Sequence, residues 1–411
     1  MIQRFMTLWY KYPRQFWLIF LGMMISTVGA SMIWPFLMIY VSERLDQPLS
    51  SATFLITLNS LMGLIFSFIA GPITDRAGRK RVMAISLTVN GLVFLMMGQA
   101  STMAMFALAM AANGAFNPLY RIGADAMMAD LIEPEKRPDA YALLRTSNNL
   151  GVAIGPVIGG VIAASSYYLA FYIAAAGMLS YSLLVIFTFK ETLPTRPVQP
   201  RAQKEVLGGY GRIVQDRPFV GFFFAFTLAQ MPAAMLWVLL SVYTKQNYGL
   251  PENLYGLLAM TNALMVVFFQ VGVTRITKRY AALSVLAVGS LFYALGTGSV
   301  AWMSTFFGFW ISMVVMTIGE LIQSPTATTY TANRAPADMR GRYMSIYGLT
   351  WGLAAGIGPL LGGWLNDYIG PTAIWYGALT IGLLSMTCFL LLARRERRST
   401  SPAVVSDGAT G

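Results

Sequence analysis

One apolar stretch contains Gly319-Glu320-Leu321-Ile322-Gln323-Ser324-Pro325, and its carboxylate has no basic neighbour within the same stretch. Glu320 stands about 12 residues from the end of its segment. At about 1.5 Å per residue that sets it near the middle of a ~30 Å hydrocarbon core. An ionised group at that depth costs about 2.5–3.5 kcal/mol on insertion scales, so it marks a functional position. Loss of hydration favours the neutral acid, which makes such a group a candidate for exchanging protons or attracting a cationic ligand. The plainer reading is a protonated acid hydrogen-bonded to a neighbouring helix. Arg121, Asp125 and Arg145 form a second group. Arg121 and Asp125 are four residues apart and share a helix face. Asp125 precedes a turn near Glu135 by ten residues and Arg145 follows it by ten, so similar depth is expected. Such a trio would be a network that protonation of Asp125 loosens, or a structural salt bridge. Polar amides punctuate other apolar faces. Asn113, Asn117, Asn148, Gln230, Asn262 and Gln323, with Trp237 and Trp351, are candidates for the wall of a ligand cavity. Mixed apolar and amide walls suit large amphipathic ligands, and the 26 methionines add adaptable surface. Hydrogen bonding between helices is the plain alternative for each of them.

These side chains need long apolar helices to hold them. Of 411 residues 56% are hydrophobic and 11% charged, against about 25% charge in a soluble chain. Twelve segments are long enough to cross a bilayer, the first at 15–41, the sixth at 167–189, the seventh at 218–245 and the twelfth at 371–393. The first is read as a transmembrane helix, since it is too long for a signal peptide and lacks a clear cleavage site. The expected fold is an all-α membrane protein of two six-helix, pseudo-symmetric bundles. Residues 1–190 and 218–395 form the bundles, 191–217 the linker, and 396–411 a disordered tail.

A duplicated phrase supports the two halves. Ile154-Gly155-Pro156-Val157-Ile158-Gly159-Gly160 returns 203 residues later as Ile357-Gly358-Pro359-Leu360-Leu361-Gly362-Gly363. Internal duplication of helical halves is a common plan of secondary transporters. The formal net charge is +12, spread in short clusters between apolar runs rather than in one patch, so nucleic acid is not an expected partner. Lys and Arg recur on alternate loops, while the others carry only Arg44 and Lys245. That asymmetry predicts both termini and the linker in the cytoplasm, in a plasma (inner) membrane. The one cysteine, Cys388, and the absence of histidine exclude an internal disulfide and a zinc site.

The loop after the second segment reads Gly71-Pro72-Ile73-Thr74-Asp75-Arg76-Ala77-Gly78-Arg79-Lys80-Arg81. It resembles the G-x-x-x-D-R-x-G-R-[KR] signature of the major facilitator superfamily at every fixed position, and the resemblance covers nearly the whole chain. It implies a conformational latch made by Gly71, Asp75, Arg76, Gly78 and Arg79, in which Asp75 caps a helix of the other half in the outward-facing state. Arg79 is expected to pair with Asp130. A decayed copy, Gly272 to Arg279, keeps its bases and has lost the acid. The stretch from Gly151 through Gly155, Pro156 and Gly159 to Gly160 is similar to the G-x-x-x-G-P-x-x-G-G motif of proton-coupled drug exporters. With its copy at Gly358, Pro359, Gly362 and Gly363 it implies a helix seam. The phrase around Glu320 resembles the tenth helix of LmrP-type multidrug/proton antiporters, where the matching glutamate is functional. Two departures stand out: Arg145 replaces an acid of that group, and Met110 stands where many drug antiporters carry an arginine.

The expected activity is proton-coupled export of lipophilic or cationic small molecules by alternating access. Glu320, Asp125, Arg121 and Arg145 are the coupling and substrate residues. A membrane potential supplies about 2.3 kcal/mol per charge per 100 mV. Partners are then the small-molecule substrate, protons and membrane lipids, with no cofactor beyond the proton gradient, and a monomer is expected. The alternatives are import of a sugar, peptide or organic anion, with Arg121 and Arg145 holding the anionic group, and a non-transporting receptor or scaffold. No G-x-x-x-x-G-K-[ST] loop marks an ATP-driven pump, and no nucleophile–base pair marks an enzyme.

Overall fold

Pro35 divides the first apolar segment, because proline lacks an N–H and its ring clashes with the carbonyl four residues back. The computed structural model, which describes residues 11–193, 210–336 and 339–400, accordingly shows helices α1 (Arg14–Ile33) and α2 (Leu37–Leu45) in that segment. The first half continues with α3 (Leu49–Ala77), α4 (Arg79–Gln99), α5 (Met103–Leu131), α6 (Arg137–Ala163) and α7 (Tyr167–Thr188). A short α8 (Tyr210–Gln215) leads into the second half, α9 (Arg217–Tyr248), α10 (Glu252–Thr277), α11 (Ala282–Ser299), α12 (Phe306–Arg334), α13 (Arg340–Tyr368) and α14 (Ala373–Thr400). Eleven spans among the described residues are long and apolar enough to cross a membrane. The 29-residue α5 is long enough but more polar, since it carries Asn113, Asn117, Pro118, Arg121 and Asp125. With it the chain is an all-α membrane protein of twelve spans.

Packing repeats between the halves. Helix α1 packs on α6 and α7 as α9 packs on α13 and α14; α3 meets α5 as α10 meets α12; α4 meets α7 as α11 meets α14. The halves touch each other chiefly through α3 against α13 and α6 against α10. Residues 194–209, most of the expected linker, lie outside the described residues, as do 401–411 of the expected tail. The start of that tail is corrected: α14 stays helical to Thr400. Glu396 anchors it, accepting from the Tyr330 hydroxyl (2.9 Å) and pairing with Arg334 (3.3 Å).

The duplicated glycine phrase explains the seam. A Cβ on Gly155 would come within 2.6 Å of Ser31 Cβ and 2.9 Å of Val28 O, and one on Gly159 would collide with Met32, so α6 lies close against α1. In the copy, a Cβ on Gly358 would stand 2.9 Å from Met231 O and one on Gly362 would collide with Leu239, so α13 lies close against α9. The last glycine of each copy faces the other half. A Cβ on Gly160 would meet Glu252 O at 2.6 Å, and one on Gly363 would meet Ser50 Cα at 2.9 Å. Small residues therefore permit backbone approach both within and between bundles. Gly151 serves the same α1 contact, against Thr27.

Candidate functional site: the cavity between the bundles

The halves close on each other at the end bearing Arg44 and Lys245 and part at the basic end. Two cavities open between them. The larger, about 890 Å³, lies between α3 and α5 on one side and α13 on the other, and includes Trp34, Asn59, Asn113, Asn117, Arg121 and Trp351 in its wall. The smaller, about 590 Å³, lies between α6 and the pair α10 and α12, and includes Arg145, Asn149, Gln270, Ser324 and Pro325.

Asn59 Nδ2 donates to Asn113 Oδ1 (3.0 Å), and Asn113 Nδ2 donates to Asn90 Oδ1 (2.8 Å). The amide expected at position 113 thus lines the larger cavity and also stitches α3, α4 and α5 together. Asn117 and Arg121 follow it at helical spacing on α5, both exposed, and among the described residues neither has a hydrogen bond or ion pair. The other expected wall residues divide differently. Asn117 and Trp351 line the larger cavity with Asn113; Asn148, Gln230, Trp237, Asn262 and Gln323 line neither cavity. Asn148 accepts from Thr27 Oγ1 (3.1 Å), and Gln323 donates to Ser290 Oγ (2.8 Å) inside the second bundle. Gln230 is 2% exposed and its amide finds no hydrogen-bond partner among the described residues. Gln230, Asn262 and Gln323 are buried inside the second bundle, while Asn148 stays exposed against α1, because sequence shows a polar residue in an apolar run but not which neighbouring helix its face meets.

The expected trio does not assemble. Asp125 acts on Arg121 electrostatically, one turn along α5, but makes no ion pair with it or with Arg145 among the described residues. Arg145 instead faces the second cavity. Equal distance from the turn does not bring the two residues together, because α5 and α6 present them to different sides.

Glu320 lies fourteen residues from either end of α12. Asn262 Nδ2 of α10 donates to its Oε2 (2.7 Å) and to Thr317 Oγ1 (3.0 Å). No cation pairs with Glu320 among the described residues. Ser324 and Val266, one helical turn from Glu320 and Asn262 on the same faces, line the smaller cavity. The Glu320–Asn262 pair therefore sits about 6 Å beyond the cavity's inner wall.

At the basic end, Arg79 pairs with Asp130 (3.2 Å) and with Asp75 (3.2 Å). Gly78 has φ +94°, and a Cβ there would strike the Glu191 carboxylate, which accepts from the backbone N–H of Arg79 (2.9 Å) and of Lys80 (3.1 Å). Arg76 is exposed in the last turn of α3, where a base suits the helix dipole. Gly71 has open space around it. In this conformation Asp75 caps no helix of the other half among the described residues; its side chain is 70% exposed. The decayed second copy has a substitute that the sequence did not reveal. Asp216 receives Arg334 Nη2 (2.7 Å) and the Tyr343 hydroxyl (3.0 Å). Burial opposes its charge, yet those bonds hold its carboxyl below the usual range.

The opposite end holds a second unforeseen group. Lys245 Nζ donates to Glu43 (2.8 Å), Glu252 (2.6 Å) and the Tyr167 hydroxyl (2.9 Å), and Tyr167 donates to Glu252. Asp367 accepts from the backbone N–H of Leu49 (3.2 Å) and Ser50 (2.8 Å), capping α3 from the other half. The available signal was that Lys245 stands nearly alone as a base on its side of the chain.

Two duplicated helical bundles around a cavity that opens at one end define a membrane transporter rather than an enzyme. The family is shown by its sequence model, Major Facilitator Superfamily, which matches residues 19–231 and 222–408. The chain belongs to that superfamily. It is 26% identical to a Na(+), Li(+), K(+)/H(+) antiporter of Planococcus maritimus, over 80% of this chain and 84% of that one. It is 22% identical to the class H tetracycline resistance protein of Pasteurella multocida, over 94% and 98%. Among solved structures, a bacterial homologue of the human lysosomal transporter Spinster, inward-facing and occupied, superposes with a TM-score of 0.77 over 94% of this chain and 98% of that one at 13% identity.

Proposed function

We propose that this protein exports lipophilic small molecules in exchange for protons, by alternating access of the central cavity to the two sides of the plasma (inner) membrane. The basic end and both termini face the cytoplasm in this reading, so the structure is open inward. One monomer contains the whole cavity, and the proton gradient is the only energy source. The observation that carries the reading is Glu320: a mid-span carboxylate whose one side-chain hydrogen-bond partner among the described residues is the Asn262 amide, a turn beyond the cavity wall. An acid held by a neutral amide can gain and lose a proton without breaking an ion pair. The antiporter and resistance relatives support the same reading.

The test is Glu320→Gln in proteoliposomes. Efflux of lipophilic dyes driven by an imposed pH gradient is expected to vanish, while exchange of dye against dye persists. Unchanged pH-driven efflux would remove Glu320 from the mechanism. A second reading is exchange of monovalent metal ions for protons. It is favoured by the Planococcus relative and by the Glu320 carboxylate, which no base neutralises among the described residues. Sodium flux under the same gradient separates the two.

A further inference from the structure

Charge in the cavities has one sign. The charged side chains lining the larger and smaller cavities are Arg121 and Arg145, and those lining the two flanking grooves at the basic end are Arg275 and Lys278. No carboxylate lines any of the four. Arg275 and Lys278 belong to the basic end and are explained by topology. Arg121 and Arg145 are not, because both lie within spans, where an unpaired base is expensive unless it faces water or a ligand. Arg121 is the more telling. Asn117 stands one turn before it on the same face, and both side chains are exposed without a hydrogen-bond partner among the described residues. A guanidinium fork beside a free amide offers donors matched to a carboxylate or sulfonate. Trp34, Leu64, Phe68 and Trp351 supply apolar wall around it. Asp125, the acid that acts on Arg121 among the described residues, lies a turn nearer the basic end, makes no ion pair with Arg121 and does not line the cavity.

The geometry points to an amphipathic organic anion as the cargo, its acidic group held by Arg121 and Asn117 and its apolar body by the tryptophan-bearing wall. This rests on the reading of the chain as a transporter and reverses the cationic preference expected from sequence. Proton entry and anion exit also carry charge in the same direction, so the membrane potential adds to the pH gradient in driving such an exchange.

The experiment compares naphthalenesulfonate, a permanent anion that a pH gradient cannot trap, with ethidium, a permanent cation. Binding is measured on the purified full-length protein by calorimetry, and flux in proteoliposomes under an imposed pH gradient. Naphthalenesulfonate is expected to bind and move in preference to ethidium. Arg121→Gln is expected to weaken both about tenfold, the loss of one charge-assisted contact. Arg121→Lys retains part, and thermal melting checks that the variants fold. If Arg121→Gln does not fold, Arg121→Lys and Asn117→Ala carry the test, with graded losses expected. Preference for ethidium, or naphthalenesulfonate binding that ignores every substitution, overturns the anion assignment. Binding that needs Arg121 with flux that ignores the pH gradient overturns proton exchange and leaves the anion assignment standing.

Discussion

The two ends of the molecule are built on different principles. At the end bearing Lys245, one continuous apolar core runs through both halves, from Met32, Tyr40 and Phe171 to Leu239, Tyr255 and Trp375. Toward the basic end the halves keep separate cores: in the first, one around Phe16 and Tyr181 and a small one of Ala70, Val82 and Leu119; in the second, one around Phe222 and Tyr347. Polar contacts follow the same division. Lys245–Glu43, Asp367–Ser50, Gln246–Ser42 (3.2 Å) and Thr57–Gly356 (2.6 Å) cross between halves at the closed end. At the basic end, Asp75–Arg79–Asp130 and Asp216–Arg334–Glu396 each stay within one half. Each end thus carries a set of charges suited to bridging the halves, and one set is engaged. Bistability of this sort is what alternating access requires, since a transporter fastened equally at both ends would not cycle.

The closed end is most vulnerable at Lys245. Lys245→Met leaves Glu252, 7% exposed, without its base. The closed end is expected to lose about 2–3 kcal/mol relative to its open form, as when one partner of a part-buried charge pair is removed. Spin labels on the loops at 46–48 and 249–251 would report longer distances, and an unchanged distribution would show that the cluster does not hold the end shut. Asp367→Asn is a finer probe. It weakens the charged cap on α3 by about 1 kcal/mol, roughly a fivefold shift in the same equilibrium. Asp75→Asn sharpens the contrast by doing least in this conformation. Its exposed pair with Arg79 is worth under about 0.5 kcal/mol, so melting should be unchanged while turnover falls more than ligand affinity. An equal loss of turnover and affinity would end its role as a latch.

Much of the frame was legible before any coordinates. Eleven of the twelve spans follow from run length and apolarity and α5 from its length; the Pro35 break, the run of α3 to Ala77 through most of the expected loop at 71–81, and the persistence of α14 to Thr400 are the main changes to their edges. The glycine phrases announced close helix approach, because a missing side chain at that spacing has few other uses. The candidate site was legible in part. Glu320, Arg121 and Arg145 were visible as charges in apolar runs. Their company was not: Asn262 comes from a helix 58 residues away, and the Arg121–Asp125–Arg145 network dissolved once α5 and α6 turned their faces apart.

Sequence alone determined a duplicated helical membrane protein with a mid-span acid, because hydrophobicity, charge and glycine spacing act along the chain and can be read one residue at a time. Tertiary structure alone decided which end is shut, that Lys245 and Asp367 fasten it, and that the cavity wall carries arginines without carboxylates. Those are properties of faces meeting across up to 318 residues of chain, and a helix's orientation about its own axis is set by all its neighbours at once.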